Sequence, residues 1–223
     1  MHETAVVLAE AYEGVTTVIA DLVDDDRARP TRCAGWSIDA LMAHLLLDAQ
    51  RALIALASDV HRAPDTDFVS YWRAWNPAVE PESRTSHADF VTRLAHAYPS
   101  LGSLQTQWAH TMQAAVRAAA RAEPDAPVTT QDHVLTVADL CRTLVTEAVI
   151  HHLDLVVDLP HAPLPANAPL AVTRQTLDGL WGRSASTGWD DVGYVLKATG
   201  REPLSPADRA DLGAAADLLP VLG

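Results

Sequence analysis

The chain has 223 residues, a formal net charge of -13, and hydrophobic residues at 48% of its positions with aromatic residues at only 5%. This length suffices for one sizeable core, and the acidic charge argues against binding to nucleic acid or to an anionic membrane surface. No apolar run approaches the roughly 20 residues of a membrane-spanning helix, and the first residues lack a signal peptide's basic region. Cys33 and Cys141 are far apart and indicate no disulfide framework, so we expect a cytoplasmic protein.

Apolar residues recur at helical spacing in four long segments of the first 160 residues. The predicted helices span 3–25, 37–58, 86–122 and 136–158, and the third is expected to be kinked or interrupted at Pro99. Four amphipathic helices of this size predict an all-α protein built on a four-helix bundle.

The segment 59–85 joins the second and third predicted helices, and its prolines forbid one long helix. A connection of this length is typical of a crossover, so we expect the second and third helices to run parallel and the second and fourth to run antiparallel. We also expect the segment to be mobile or to cover a site. Its large side chains either wall a substrate pocket or pin the loop to the bundle. These candidate pocket residues are Tyr71, Trp72, Arg73 and Trp75.

The remaining residues predict a short helical extension. We divide the chain into a bundle, 1–160, and a C-terminal extension packed on it, 161–223. Within the extension, short helices are predicted near 169–182, 189–198 and 206–215.

Glu147 and His151 lie four residues apart in the fourth predicted helix, which places both side chains on one face. An ordinary ion pair on a solvated face has the same spacing, so the pair alone is a weak signal. His44 lies on the apolar side of the second helix, where a hydrogen-bonded core histidine is the commoner case. If the two helices are antiparallel neighbours, all three side chains fall at one level within about 5 Å. Two histidines and one glutamate would hold a metal and leave one position open, as catalytic sites do.

Two further acids are placed to orient the imidazoles from outside the ligand set. Asp48 follows His44 by one turn, and Asp154 follows His151 by three residues, although both also fit ordinary solvent-facing acids. His152 is displaced by roughly 100° from His151 and is a weaker candidate.

Two sequence segments resemble a known family. The run 31–37, followed by 41–45, resembles the start of the metal-binding helix in mycothiol-dependent maleylpyruvate isomerase-like proteins of the DinB/YfiT-like superfamily. Residues 146–154 resemble the second motif of that family, and the tail run 197–204 is similar as well.

The resemblance implies a DinB-like bundle that binds a divalent metal, usually zinc, through His44, Glu147 and His151. It also implies mycothiol, a small thiol, as co-substrate in an actinobacterial cytoplasm. The short tail is expected to differ from maleylpyruvate isomerase itself, for which a larger C-terminal α/β domain is expected.

Our leading functional hypothesis is a metal-dependent thiol S-transferase or cis–trans isomerase, in which a thiolate attacks a small electrophile. The alternatives are a metal-dependent hydrolase, for which Asp48 is the one candidate base, and a bundle that binds metal or a small molecule without turnover. Trp36 and Cys33 are predicted to be packing residues. The expected partners are the thiol and the electrophile, without nucleic acid or membrane, for a monomer or homodimer.

Overall fold

The structure is a computed structural model that describes residues 1–73, 81–184 and 188–222, with the backbone alone for 81–86. The described chain is mostly helical, which confirms the predicted all-α class. Its helices are α1 (Glu3–Ile19), α2 (Ile38–Ala57), α3 (Ser70–Arg73), α4 (Pro81–Ala97), α5 (Leu101–Arg121), α6 (Val137–Leu155), α7 (Asn167–Trp181), α8 (Asp191–Ala198) and α9 (Pro206–Leu212). Its strands are β1 (Pro127–Thr130) and β2 (His133–Thr136).

Helices α1 and α5 are antiparallel, as contacts at both of their ends show. His2 Nε2 lies 2.9 Å from the carbonyl oxygen of Ala119, which joins the start of α1 to the end of α5. At the opposite end, the Gln105 side chain donates to the carbonyl oxygen of Leu22 at 3.0 Å.

Helices α2 and α5 run parallel, because both begin at the same end of the bundle. Arg27, in the loop before α2, contacts Asp39 in the first turn of α2 at 3.3 Å. The same guanidinium donates to the carbonyl oxygens of Ala95 and Tyr98, just before α5 begins. The parallel arrangement predicted for the second and third helices is therefore confirmed for α5, the part of the third predicted helix that follows Pro99.

Helix α6 is antiparallel to α2, because its C-terminal end lies beside the loop that leads into α2. Arg32 in that loop donates to the carbonyl oxygen of Leu153 at 2.8 Å. Near the same end, Gly14 of α1 packs so closely on α6 that a Cβ there would lie 3.2 Å from the His152 ring. This orientation is the one that the metal hypothesis requires.

The third predicted helix, 86–122, is interrupted at Pro99, one of the two forms that the sequence predicted. It is two helices, α4 and α5, separated by bends at 98–100, and α4 packs antiparallel on α2 through Ala43 and Val91. Pro81 begins α4 inside the predicted crossover, since a proline in the first helical turn sacrifices no backbone hydrogen bond. Helix α1 also ends earlier than predicted, at Ile19.

The hairpin of β1 and β2 lies between α5 and α6, in a stretch for which the sequence predicted no regular element. Gln131 and Asp132 both have positive φ, at 47° and 66°, as the tightest hairpin turns require. The crossover is fixed to this hairpin, because the Asp65 backbone N–H donates to the carbonyl oxygen of Val134 at 2.9 Å.

The C-terminal helices pack on α6 and α7, and their apolar side chains join the bundle's core. Leu177 and Tyr194 are fully buried in the same cluster as Leu144 of α6. The helices predicted in the tail are present with bounds shifted by a few residues. The proposed boundary at residue 160 stays a prediction.

By length and hydropathy, α2 is the one described helix that could cross a membrane. The sequence expectation that no run approaches this length was therefore too strict. In the structure, α2 contributes 12 buried residues, including Leu41 and Leu45, to the packing of the bundle.

Candidate metal centre

Three side chains from two helices converge at one end of the bundle. The side chains are His44 of α2 and Glu147 and His151 of α6. Each offers one ligand atom, and the three atoms lie within 4.8 Å of one another. His151 Nε2 is 3.2 Å from Glu147 Oε2, and the two imidazole rings stand nearly perpendicular with centroids 4.8 Å apart. The antiparallel packing of α2 and α6 produces this convergence.

The donor set fits a divalent metal, and zinc in particular. Imidazole nitrogen and carboxylate oxygen are ordinary zinc ligands, and bonds of about 2.0–2.1 Å place neighbouring ligand atoms roughly 3.4 Å apart. The His44 and Glu147 side chains are 13% and 19% exposed, so the group is mostly buried but still partly accessible to solvent.

Without a metal, Glu147 and His151 form an ion pair. Burial opposes charge on Glu147, but the hydrogen bond and charge of His151 lower the pKa of the carboxyl to about 2. Burial likewise opposes charge on His151, but hydrogen bonds to Asp154 and Glu147 raise the pKa of the imidazole to about 9. Burial lowers the pKa of His44, which favours the neutral imidazole that binds metals. Metal binding therefore competes with a proton on His151.

Asp154 holds the outer nitrogen of His151. Its Oδ2 lies 3.0 Å from His151 Nδ1, which leaves Nε2 turned toward Glu147. Arg201, from the loop between α8 and α9, donates to both oxygens of the fully buried Asp154. Sequence reasoning did not place Arg201 at the site, although it lies in the family-like tail run 197–204, because no periodicity relates that run to α6.

Asp48 has a different arrangement from the one expected. Its Oδ2 lies 3.6 Å from His44 Nε2, longer than a hydrogen bond, and its Oδ1 accepts from Arg51 Nη2 at 2.9 Å. The orienting role of Asp48 stays a prediction.

Two aromatic side chains border the imidazoles. The Trp36 ring lies 5.0 Å from the His44 ring and 6.4 Å from the His151 ring, so this residue packs against the site as well as against the start of α2. His87 of α4 places Nε2 at 3.4 Å from His44 Nδ1. Sequence reasoning missed His87, because only the reversal between α4 and α5 brings it to α2.

The candidate pocket residues of the crossover point in different directions and make different contacts in the structure. Tyr71 is buried beside the site, its hydroxyl donates to the Gln131 side chain, and burial raises its pKa to about 12. Trp72 is buried against Tyr71, whereas Arg73 donates to the carbonyl oxygen of Gly179 in α7 at 3.1 Å.

Trp75 lies outside the described residues. A pocket role stays a prediction for the four residues, and the direction of Arg73 argues against it for that side chain.

His152 and Cys33 lie beside the site without joining the group of three. His152 Nε2 is 2.8 Å from the carbonyl oxygen of Pro163, so its ring faces the tail instead of His44. Burial and the charge of Asp154 raise the pKa of Cys33 to about 11, which argues against a thiolate nucleophile. Cys33 also lies within 4.8 Å of ligand atoms of His151 and Asp154, on the other side of the His151 ring.

A family model described as the mycothiol maleylpyruvate isomerase N-terminal domain matches residues 8–156. The chain belongs to this family. The matched range contains His44, Glu147 and His151, and it leaves out Arg201 in the tail. No curated protein matches the chain.

A solved crystal structure of the mycothiol-dependent maleylpyruvate isomerase has a similar fold, with a TM-score of 0.57 at 16% sequence identity. The match covers 90% of this chain and 89% of that chain, so the two have about the same length. The similar lengths leave little room for a much larger C-terminal domain in the isomerase, and the α/β character expected for that domain stays a prediction. The predicted bundle of the DinB-like class agrees with this shared fold.

Proposed function

We propose that this chain is a zinc-dependent enzyme that uses a small thiol, mycothiol, as a thiol S-transferase or cis–trans isomerase on a small electrophile. The observation that carries the proposal is the convergence of His44, Glu147 and His151 within 4.8 Å in a mostly buried space. Family membership supports mycothiol as the thiol, and we place the reaction in the cytoplasm, where such a thiol stays reduced.

A bound dication would hold a thiol as its thiolate near neutral pH. The protein's own part is to fix the ligand atoms. Asp154 keeps His151 Nδ1 occupied, so Nε2 is the nitrogen presented to the site. Arg201 compensates the buried charge of Asp154, and Trp36 shields one side of both imidazoles from water.

The hydrolase alternative is less well supported. A metal hydrolase needs a base beside the bound water, and Asp48 is the one sequence candidate. In the structure Asp48 is engaged by Arg51 at 2.9 Å, an arrangement that favours a fixed counter-ion over a proton acceptor.

Cobalt(II)-loaded protein titrated with mycothiol tests the proposal, because sulfur bound to cobalt gives a strong near-ultraviolet absorption. We expect this band to saturate with one thiol per chain. The serine analogue of mycothiol, which lacks the sulfur, is the ligand control, and His44→Ala is the protein control. A cobalt-loaded chain with no band would remove the thiol proposal, and a band without turnover of any electrophile would favour a binding protein.

A further inference from the structure

A second group of polar atoms lies next to the metal centre, along α2. His44, Asp48 and Arg51 follow one another on one face of this helix, and Tyr12 of α1 packs beside them. Among the described residues, Tyr12 OH, Asp48 Oδ2 and Arg51 Nε are buried and have no hydrogen-bond partner.

The three side chains are neighbours. Arg51 Nη2 contacts Asp48 Oδ1 at 2.9 Å, and the charges of Asp48, Arg51 and Glu147 all act on the Tyr12 hydroxyl. Tyr12 is 2% exposed and Asp48 is 7% exposed. The Tyr12 ring is fixed in the core by an edge contact with Trp108, so its hydroxyl cannot turn to solvent.

Buried polar atoms in folded proteins are nearly always hydrogen-bonded, so three adjacent exceptions indicate a missing ligand or ordered water. Arg51 Nε and Tyr12 OH offer two donors, and Asp48 Oδ2 offers one acceptor. The charge of Arg51 is already balanced by Asp48, and a carboxylate ligand would face the unpaired Asp48 oxygen. The group therefore complements a neutral ligand with one acceptor and one donor. An amide has this pattern, with its C=O and its N–H.

The group adjoins the metal centre, because Asp48 Oδ2 is 3.6 Å from His44 Nε2. A ligand whose sulfur occupied the centre would therefore bring an amide two carbons away next to Asp48. We propose that Tyr12, Asp48 and Arg51 form a subsite for an amide group of the thiol co-substrate. Arg51 and Tyr12 donate to the amide carbonyl oxygen, and Asp48 accepts from the amide N–H. This inference rests on the proposed thiol function.

Titration of three small thiols into the cobalt-loaded protein compares the affinities of an amide, an ester and a carboxylate ligand. N-Acetylcysteamine carries an amide two carbons from its sulfur, 2-mercaptoethyl acetate replaces the amide N–H with an ester oxygen, and 3-mercaptopropionate carries a carboxylate. We expect the amide to bind roughly 10- to 100-fold more tightly than the ester, because the ester lacks the N–H and so loses one hydrogen bond to the Asp48 carboxylate.

Asp48→Ala should remove most of this preference, because it deletes the acceptor for the amide N–H. Tyr12→Phe and Arg51→Lys should instead weaken the amide and the ester alike, because both thiols carry the carbonyl oxygen to which these side chains donate. Tyr12→Phe deletes a hydroxyl that has no described partner, so its thermal stability should equal or exceed that of the parent. Tyr98→Phe and Arg121→Gln are the matched controls, and both should keep the parent's affinities for the amide and the ester. Equal affinities for the three thiols, tighter binding of the carboxylate, an amide preference that survives Asp48→Ala, or unchanged affinities in Tyr12→Phe would overturn the subsite.

If no thiol binds cobalt, the proposed function fails, and the subsite is then tested separately. N-Methylacetamide added to the metal-free protein should shift the nuclear magnetic resonances of α1 and α2 in the parent and not in Tyr12→Phe. No shift in the parent would overturn the subsite as well.

Discussion

Arg201 donates hydrogen bonds to both carboxylate oxygens of Asp154, with Nε 2.7 Å from Oδ1 and Nη2 2.8 Å from Oδ2. The same Asp154 contacts His151 at 3.0 Å, and its own side chain is fully buried. A residue in the tail therefore supports an imidazole of the candidate metal centre. A substitution in the tail that removes this contact should therefore weaken metal binding at the candidate centre.

Arg201→Ala should lower the free energy of unfolding of the metal-free protein by about 3–5 kcal/mol, because it leaves the buried Asp154 charge without its partner. It should also weaken zinc binding roughly 10- to 100-fold, as loss of an outer partner of a ligand does. Denaturant unfolding and competition with a chromogenic chelator measure the two effects.

Arg209→Ala, at an exposed position on α9, is the control and should change neither quantity. Arg201→Lys should recover only part of the loss, because lysine lacks the forked donor pair. Full zinc affinity in Arg201→Ala would show that Asp154 positions His151 without help from the tail.

His44→Ala should abolish tight metal binding, whereas His152→Ala should leave it nearly intact. His44 is the one α2 ligand in the group of three, and its loss leaves two ligands on one helix. His152 faces Pro163 at 2.8 Å, so its removal costs a buried hydrogen bond, about 1–3 kcal/mol of stability, and no ligand. Metal content per chain after dialysis against a weak chelator measures the difference. Equal metal loss in both variants would contradict the ligand assignment.

Zinc should stabilise the parent protein and not Glu147→Gln. Zinc at 100 times its dissociation constant adds about 2.7 kcal/mol to the free energy of unfolding, provided that it binds only the folded chain. Glutamine keeps the shape of Glu147 but lacks the anionic oxygen. Thermal melting with and without zinc gives the result, and Glu13→Gln on the exposed face of α1 is the control. An equal zinc-dependent shift in Glu147→Gln would remove this residue from the ligand set.

Gly179→Ala should destabilise the protein by about 1–3 kcal/mol, although alanine favours helices. A Cβ at Gly179 in α7 would lie 2.8 Å from both methyl carbons of Val69, so the crossover or α7 must move. Gly102→Ala in α5 is the matched control, because its nearest neighbour would be 3.8 Å away, and it should be neutral or stabilising. Urea unfolding compares the two. An unchanged free energy of unfolding in Gly179→Ala would show that Val69 and the crossover move aside at little energetic cost.

Local chemistry in the sequence predicted the principal helices and their relative directions. Helical periodicity located α2 and α6. The length of 59–85 predicted that the helix at 86–122 runs parallel to α2, which holds for α5 and not for α4. These directions predicted that His44, Glu147 and His151 lie at the same height along the bundle axis. Local signals failed where the chain departs from regular patterns. The interruption expected at Pro99 is a full reversal of chain direction between α4 and α5, and Gln131 with Asp132 forms a tight turn that lacks the usual glycine.

The tertiary structure alone decided which side chains surround the ligand group. Arg201 and His87 are distant in sequence from their partners, and no periodicity connects a tail loop or a separate helix to the imidazoles that they support. Asp48 shows the same limit at short range. Its helical spacing to His44 and Arg51 is visible in the sequence, but packing places it 2.9 Å from Arg51 and 3.6 Å from His44. The sequence determined which side chains share a helix face, because that depends on backbone geometry. Which of them make contact depends on how separate helices pack, and only the folded chain specifies it.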